Sequence, residues 1–504
     1  MGRIESLKGK MFITSYGGTG GLITGSSHLL ETKGSKVLFD LGMFQGHKEE
    51  RSEKGERRNL TSLSNIGRGL NNIAVTHAHI DHTGRLSKLY SEGFRPEVLA
   101  TEATVAFMKP LLENSADIQK SQYSLEDRLF DMNDVVTTLR HTKGVKPFKE
   151  IPIGQKNSNL TVEFLLNGHV GGSSSILLRN YNNHKNILFT GDMGKPVQSL
   201  CGGYTDFMNK YPKDPINVLV IESTNFEKEP ILFEEKRNEL LTLIQKIWDG
   251  GGNPVFPVLS FHRCQELMEM IHNGQKDGSI PLDCKIVVDS PLAMKLLEVY
   301  KKLGPDYLSP RYGNDPNFYK TDEESISRFD LKNLTIIDLH EESVLNDINM
   351  ANCKEKVIIL AGGGMGDHGR SVVYLKGEFC KNPKNAVIYN CHQVEGTYGA
   401  NMLYRYKQLK ENKGKKPKDK KGKRLDDRKK GAQVYKIEGF TSHISGPEET
   451  FGFIEKFNLE DLETVIISHG KNSSREKMAQ EFERRNYGKI ILRPSINQSI
   501  ELYS

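Results

Sequence analysis

The sequence predicts an α/β protein, and three observations predict it. Short apolar segments of strand length, bounded by Gly, Asn and Asp, recur through the first 200 residues. From Ile231 onward, strand-like and helix-like segments alternate regularly, as in a parallel sheet covered by helices. A chain of 504 residues with 37% hydrophobic side chains can bury sizeable cores, in roughly two to four domains.

Taken in order, residues 11–14 read as the first strand, although Gly2 and Ser6 formally match the N-myristoylation pattern M-G-x-x-x-S/T. Residues 36–39, 72–76, 162–166, 174–178 and 186–190 read as buried strands. Between 102 and 140 the spacing of Val105, Met108, Leu111 and Leu112 is helical, an excursion from a sheet. The second half then reads helix 232–248, strand 255–259, helix 263–271, strand 284–289 and helix 292–302. No repeat of fixed period is present.

Composition excludes several classes. A mean hydropathy of −0.52 and 27% charged residues, with no apolar run of about 18 residues, argue against a membrane-spanning helix. The first residues lack the apolar core of a secretory signal. Six scattered cysteines without a CxxC pair favour neither a disulfide scaffold nor a thiolate metal site, so a cytoplasmic, reducing location is expected. The net charge of +6 is unevenly distributed. Residues 407–430 hold 13 Lys/Arg against 4 Asp/Glu, a local +9 that leaves −3 for the rest. Such a run predicts a solvated loop. Lys415, Lys416, Lys418, Lys420, Lys421, Lys423 and Arg424 are its candidate phosphate contacts. No aromatic residues are interleaved with them, which argues against reading of bases.

The sharpest local signal is Thr76-His77-Ala78-His79-Ile80-Asp81-His82-Thr83-Gly84, directly after an apolar strand. In a regular strand, residues 77, 79 and 81 would share one face and 82 the other, so a loop at the strand's end must converge all four donors. Neutral imidazoles and a carboxylate are the ligands zinc takes outside thiolate sites. Further candidates also follow strands: Asp40 in Leu38-Phe39-Asp40-Leu41-Gly42, His169 in Leu166-Asn167-Gly168-His169-Val170-Gly171-Gly172, and Asp192 in Phe189-Thr190-Gly191-Asp192-Met193. Singly, each is a weak signal, since a lone Asp before Gly reads as a turn residue and a lone His beside Gly as structural or exposed. Their weight lies in the joint order.

That order resembles the four-motif series of the metallo-β-lactamase fold. Ile221-Glu222-Ser223-Thr224, Gly439-Phe440-Thr441-Ser442-His443 and Ile467-Ser468-His469-Gly470 resemble motifs A, B and C of its β-CASP nucleases. Residues 259–265, Val288-Asp289-Ser290-Pro291-Leu292 and the Gly364-Met365 to Gly369-Arg370 turn resemble supporting signatures of the same group. The resemblance implies an αββα sandwich with an inserted β-CASP domain, a parallel sheet flanked by helices. Its domains would be a core over 1–222, the insertion over 223–412, a Lys-rich loop over 413–430 and a return to the core over 431–504.

It also implies two Zn2+ per chain, one held by His77, His79 and His169, the other by Asp81, His82 and His469, with Asp192 bridging. Asp40 would orient ligands, and the paired metals would activate water against a phosphodiester. His443 would protonate the leaving oxygen, oriented by Glu222. A histidine in motif C marks the RNA-processing branch, which favours an RNA substrate; the chain's limits fit the compact prokaryotic form best. Competing readings are a DNA nuclease, an inactive RNA-binding scaffold and a small-molecule hydrolase of the same core. A homodimer, the mode of cleavage and protein partners stay open. The chain departs from the pattern at Asn225-Phe226-Glu227, Phe261-His262, residues 361–364, Met365-Gly366-Asp367-His368 and His392, none of them a metal ligand. The glycine runs at 17–21 and 362–364 lack the Gly-Lys-Ser/Thr ending of a nucleotide loop and read as turns.

Overall fold

Runs of Val, Ile, Leu and Phe, buried nearly residue by residue, build two seven-stranded sheets. The computed structural model describes residues 10–50, 57–307, 331–338, 340–411 and 431–503. Strands β1 (Met11–Gly17), β2 (Ser27–Thr32), β3 (Ser35–Phe39), β4 (Asn72–Ala74), β5 (Glu97–Thr101) and β6 (Thr142–Val145) lie side by side in chain order in the first sheet. The second holds β7 (Ile151–Ile153), β8 (Leu160–Leu166), β9 (Ser174–Asn180), β10 (Lys185–Phe189) and β11 (Val218–Glu222). Three C-terminal strands complete the pair: β18 (Thr464–Ser468) beside β11, β19 (Ile490–Leu492) beside β18, and β20 (Ser499–Tyr503) beside β1.

Between the sheets lies one apolar layer. Ile13, Leu30, Val37 and Phe39 of the first sheet meet Val162, Phe164, Ile176, Leu178, Ile187, Phe189 and Val220 of the second. The Phe39 and Phe189 rings stack at 3.6 Å. Each such side chain contributes about 1.5–3 kcal/mol on full burial. The outer face of the second sheet packs on Phe451, Phe453, Ile454 and Phe482 from helices Gly446–Ile454 and Asn472–Arg484. Helix Glu102–Gln122 packs beside β5 and β6. The helical excursion of residues 102–140 comprises this helix and Met132–Arg140, which Asp131 caps with a reciprocal Asp134 bond. These elements belong to one compact unit, Met1–Pro230 with Leu303–Tyr312 and Ser442–Ser504.

The second unit, Ile231–Lys302 with Gly313–Thr441, carries a parallel six-stranded sheet. Its order is β14-β13-β15-β12-β16-β17, with β12 Pro254–Val258, β13 Lys285–Asp289, β14 Leu334–Ile336, β15 Val357–Gly362, β16 Ala386–Tyr389 and β17 Gln433–Lys436. β12 and β15 are buried throughout, as strands covered on both faces must be. The pairing of β17 with β16, Ala386↔Gln433 to Tyr389↔Lys436, keeps this stretch with the inserted sheet beyond residue 431, the return point expected from the motifs. Helix Tyr398–Glu411 extends into the start of the Lys-rich run. Lys415, Lys416, Lys418, Lys420, Lys421, Lys423 and Arg424 lie outside the described residues. All six cysteines are free, and among the described residues no helix is long and apolar enough to cross a membrane.

Candidate metal centre

The donors converge because each follows the C-terminal end of a strand in the first unit. Asp40 follows β3, the histidine cluster β4, His169 β8, Asp192 β10 and His469 β18, while Glu222 ends β11. After β4 the chain turns through His79 into the short helix Ile80–Thr83, which brings Asp81 and His82 back toward His77. Gly42 permits this turn, since a Cβ there would lie 1.5 Å from the Asp81 carbonyl oxygen.

Two trios result, and Asp192 lies between them. His77 Nε2 is 3.0 Å from His79 Nδ1, which is 3.3 Å from His169 Nε2. Asp192 Oδ2 faces this group, 3.8 Å from His77 Nε2 and 3.6 Å from His169 Nε2. Its other oxygen, Oδ1, faces His82 Nε2 at 3.3 Å and His469 Nε2 at 3.5 Å; those two nitrogens are 3.1 Å apart, and Asp81 Oδ2 is 3.6 Å from His469. Donors about 2.0–2.1 Å from one tetrahedral ion lie roughly 3.3–3.4 Å from one another. The observed spacings bracket that value, and each group's donor atoms fall within 4.8 Å. The buried Asp192 Oδ1 has no hydrogen-bond partner. This donor set fits a pair of cations.

Hydrogen bonds behind the rings fix which nitrogen faces inward. The Thr76 hydroxyl donates to Asp40 Oδ2 (2.9 Å) and so accepts from His77 Nδ1 (3.0 Å). His82 Nδ1 donates to Asp40 Oδ2 (2.7 Å). The Thr224 hydroxyl donates to the His469 carbonyl and accepts from His469 Nδ1, both at 2.9 Å. One hydroxyl proton cannot serve two acceptors, and a carbonyl only accepts. His77, His82 and His469 therefore turn Nε2 inward, the orientation that such outer contacts give metal-binding histidines.

Electrostatics divides the two groups. Burial holds His77 and His169 well below the ordinary imidazole pKa and pushes His79 down to about 4, so these rings are neutral donors. Burial also opposes charge on His82 and His469, but carboxylates outweigh it. Asp192 and Asp40 hold His82 well above its usual value, and Asp192 with Asp81 pushes His469 up to about 9. The metal-free second trio thus keeps protons that a cation would displace. Two of these residues adopt left-handed backbone, Asp40 at φ 58° and His469 at φ 45°. Thr76 N (2.8 Å) pins the Asp40 carboxylate, and His469 N donates to Gly18 O (2.6 Å). Strain of this kind collects at functional sites.

Beside the trios stands a histidine–carboxylate pair, His443 and Glu222. Glu222, 2% exposed, accepts at Oε1 from Met193 N (3.0 Å) and His443 Nδ1 (3.0 Å), and at Oε2 from Thr224 N (2.8 Å). His443 Nε2 lies 3.6 Å from Asp192 Oδ2.

Residues 20–226 match the metallo-beta-lactamase superfamily, and residues 264–402 match the Beta-Casp domain. The chain belongs to the β-CASP group of the metallo-β-lactamase superfamily. It is accordingly a metal-dependent hydrolase. Among the relatives of this β-CASP protein, Ribonuclease TTHA0252 of Thermus thermophilus is 28% identical over 385 residues, covering 76% of this chain and 80% of that one. Probable RNase MJ4 of Methanocaldococcus jannaschii is 29% identical over 449 residues, 88% of this chain and 89% of that one. Transcription termination factor FttA of the same organism is 27% identical over 420 residues, 80% of this chain but 59% of that one. A solved structure of a protein of unknown function from Enterococcus faecalis V583 has the same fold, with a TM-score of 0.55 at 15% identity, covering 98% of this chain and 100% of that one.

Every metal, orienting and acid residue expected from the sequence of this β-CASP protein is thus found in one cluster. Three contributors were not foreseen. Thr76 adjoins His77 and Thr224 lies two residues after Glu222, but their hydroxyl roles have no sequence signal. His28 on β2 lines the cavity behind His82 and His469; its Nδ1 is 2.9 Å from Ser15 Oγ, and burial, with His469 and His82, pushes its pKa down to about 3.

Proposed function

We propose that the chain is a ribonuclease that hydrolyses RNA phosphodiester bonds with two Zn2+. His77, His79 and His169 would hold one ion, Asp81, His82 and His469 the other, and Asp192 both. The observation that carries this reading is the division of Asp192, Oδ2 toward one trio and Oδ1 toward the other, beside the His443–Glu222 pair. Ions held there would lower the pKa of a bound water and offset charge on the phosphodiester.

The remaining work falls to the chain's own residues. Asp40 and Thr76 keep the Nδ1 protons of His82 and His77 outside the centre, and Thr224 does the same for His469. Glu222 Oε1 accepts from His443 Nδ1 and so leaves Nε2 facing the centre, 3.6 Å from Asp192 Oδ2, where a phosphodiester would lie. Protonated His443 gives its Nε2 proton to the leaving 3′ oxygen, which departs as a hydroxyl and leaves a 5′-phosphate on the other product. Met193 N and Thr224 N donate to Glu222 as well, one to each oxygen, which fixes the carboxylate in place.

RNA is favoured over DNA by His469 in the third motif and by the names of the relatives, ribonuclease and RNase. Lys415, Lys416, Lys418, Lys420, Lys421, Lys423 and Arg424 would supply salt-sensitive contacts to phosphates. Six free cysteines support a cytoplasmic setting. The test is degradation of matched RNA and DNA oligonucleotides, each labelled at the 5′ or 3′ end. RNA is expected to be cleaved and DNA spared; a ladder of internal fragments means endonuclease action, and mononucleotides from the 5′ end mean exonuclease action. Equal cleavage of both polymers would make the protein a general nuclease, and cleavage of neither would overturn the reading.

A further inference from the structure

We infer that Asn167 is a positioning residue that sets the relation of His169 to Asp192; the inference rests on the proposed metal reading. Asn167 is fully buried in the turn after β8, two residues before His169. Its side chain spans two loops. Nδ2 donates to the Asp192 carbonyl at 2.9 Å and to the Thr190 carbonyl at 3.1 Å. Oδ1 accepts from Ser173 Oγ at 2.8 Å and from His169 N at 3.3 Å. Carbonyls only accept and an amide N–H only donates, so the Thr190 and Asp192 carbonyls and His169 N fix which end of the amide faces which loop.

The main chain of Asn167 continues the link, since its carbonyl accepts from Gly194 N at 3.2 Å. Gly194 forms an isolated antiparallel bridge with His443, and Ile444 N donates to Met193 O at 2.9 Å. The loops approach so closely here that a Cβ on Gly194 would lie 2.4 Å from the Asn167 carbonyl oxygen. One buried residue therefore joins the loop of His169 and the loop of Asp192 by its side chain and, through its carbonyl and Gly194, the segment of His443. His169 Nδ1 has no hydrogen-bond partner, so the ring that Asn167 positions through its backbone lacks the direct outer contact that His77, His82 and His469 have. Holding the backbone on both sides replaces it.

Loss of outer contacts of this kind typically lowers metal affinity about 10- to 100-fold. Asn167→Ala removes all of these side-chain bonds, together with a longer one from Nδ2 to Ser175 Oγ at 3.4 Å. Asn167→Asp keeps the size and the accepting side but sets a carboxylate oxygen against the Thr190 and Asp192 carbonyls. Asn253 in the second unit is a matched control, a buried amide bonded to the Cys353 and Glu355 carbonyls and to Val357 N, remote in function from the metal donors.

The experiment titrates the chelator-stripped full chain with Zn2+ against a chromophoric competitor, with thermal melting of the same metal-free samples. Both Asn167 variants should bind Zn2+ about 10- to 100-fold more weakly than wild type. Asn253→Ala should lower Tm yet leave Zn2+ affinity unchanged. If Asn167→Ala does not fold, Asn167→Asp carries the test. Wild-type affinity in a folded Asn167 variant, or an equal loss of affinity in Asn253→Ala, would overturn the inference. A wild type that binds no Zn2+ would instead overturn the metal reading on which it rests.

Discussion

The Nδ1 protons of His77, His82 and His469 are directed outward by Thr76, Asp40 and Thr224. Thr224→Val keeps the volume and removes the hydroxyl, so Zn2+ affinity should fall about 10-fold or more with little change in Tm. Glu222→Gln and His443→Ala leave the trios intact; each should lower kcat by about 10²- to 10⁴-fold at unchanged metal content, measured together on one preparation. The pH dependence of the metal-free protein follows from two rings. His469, raised from 6.5 to about 9, stabilises fully below pH 6.5, and that stabilisation is lost as pH climbs through 9. His79, lowered from 6.5 to about 4, acts oppositely, and stability is lost as pH falls from 6.5 toward 4. Chelated protein should therefore melt highest near pH 6.5, and a Tm rising steadily from 6.5 to 9 would contradict this assignment. Four donors were legible in the sequence because they lie within six residues. Thr224 and Asn167 were not, since their roles are contacts with backbone or rings far along the chain.

Strands β3, β4, β8, β10, β11 and β18 end at one rim, which makes the site a property of the sheets rather than of any one loop. Apolar runs made most of these strands legible, with ends shifted by one or two residues: 255–259 is read from the sequence, but β12 stops at Val258 and Leu259 is 40% exposed. The break between helices Glu102–Gln122 and Met132–Arg140 was hidden, because its signal is the capping carboxylate of Asp131 rather than a change in hydrophobic period. Gly42 shows how tightly neighbouring turns are fitted. Gly42→Ala should cost about 3 kcal/mol or more, from the clash with the Asp81 carbonyl, whereas Gly304→Ala, with nothing within 4 Å, should stay within about 0.5 kcal/mol. Equal denaturation midpoints for the two variants would mean that the turn yields freely.

For the whole molecule, the motif order spelled out a two-part architecture, and the structure divides into a two-sheet unit and a parallel-sheet unit. The net charge of +6 was a poor guide to a nucleic-acid partner, being the sum of a slightly acidic body and one basic run. Deleting residues 413–424 should weaken RNA binding and flatten its salt dependence without changing metal content; an unchanged salt slope would remove these lysines from the interface. The central claim, RNA cleavage by a centre of two cation positions sharing Asp192, is tested most directly by cleavage of end-labelled RNA by wild type and Asp81→Ala, with and without chelator. Wild type should cleave, stop in chelator and recover with Zn2+, and Asp81→Ala should be nearly inactive. Full activity in Asp81→Ala, or in chelator-treated wild type, would contradict it.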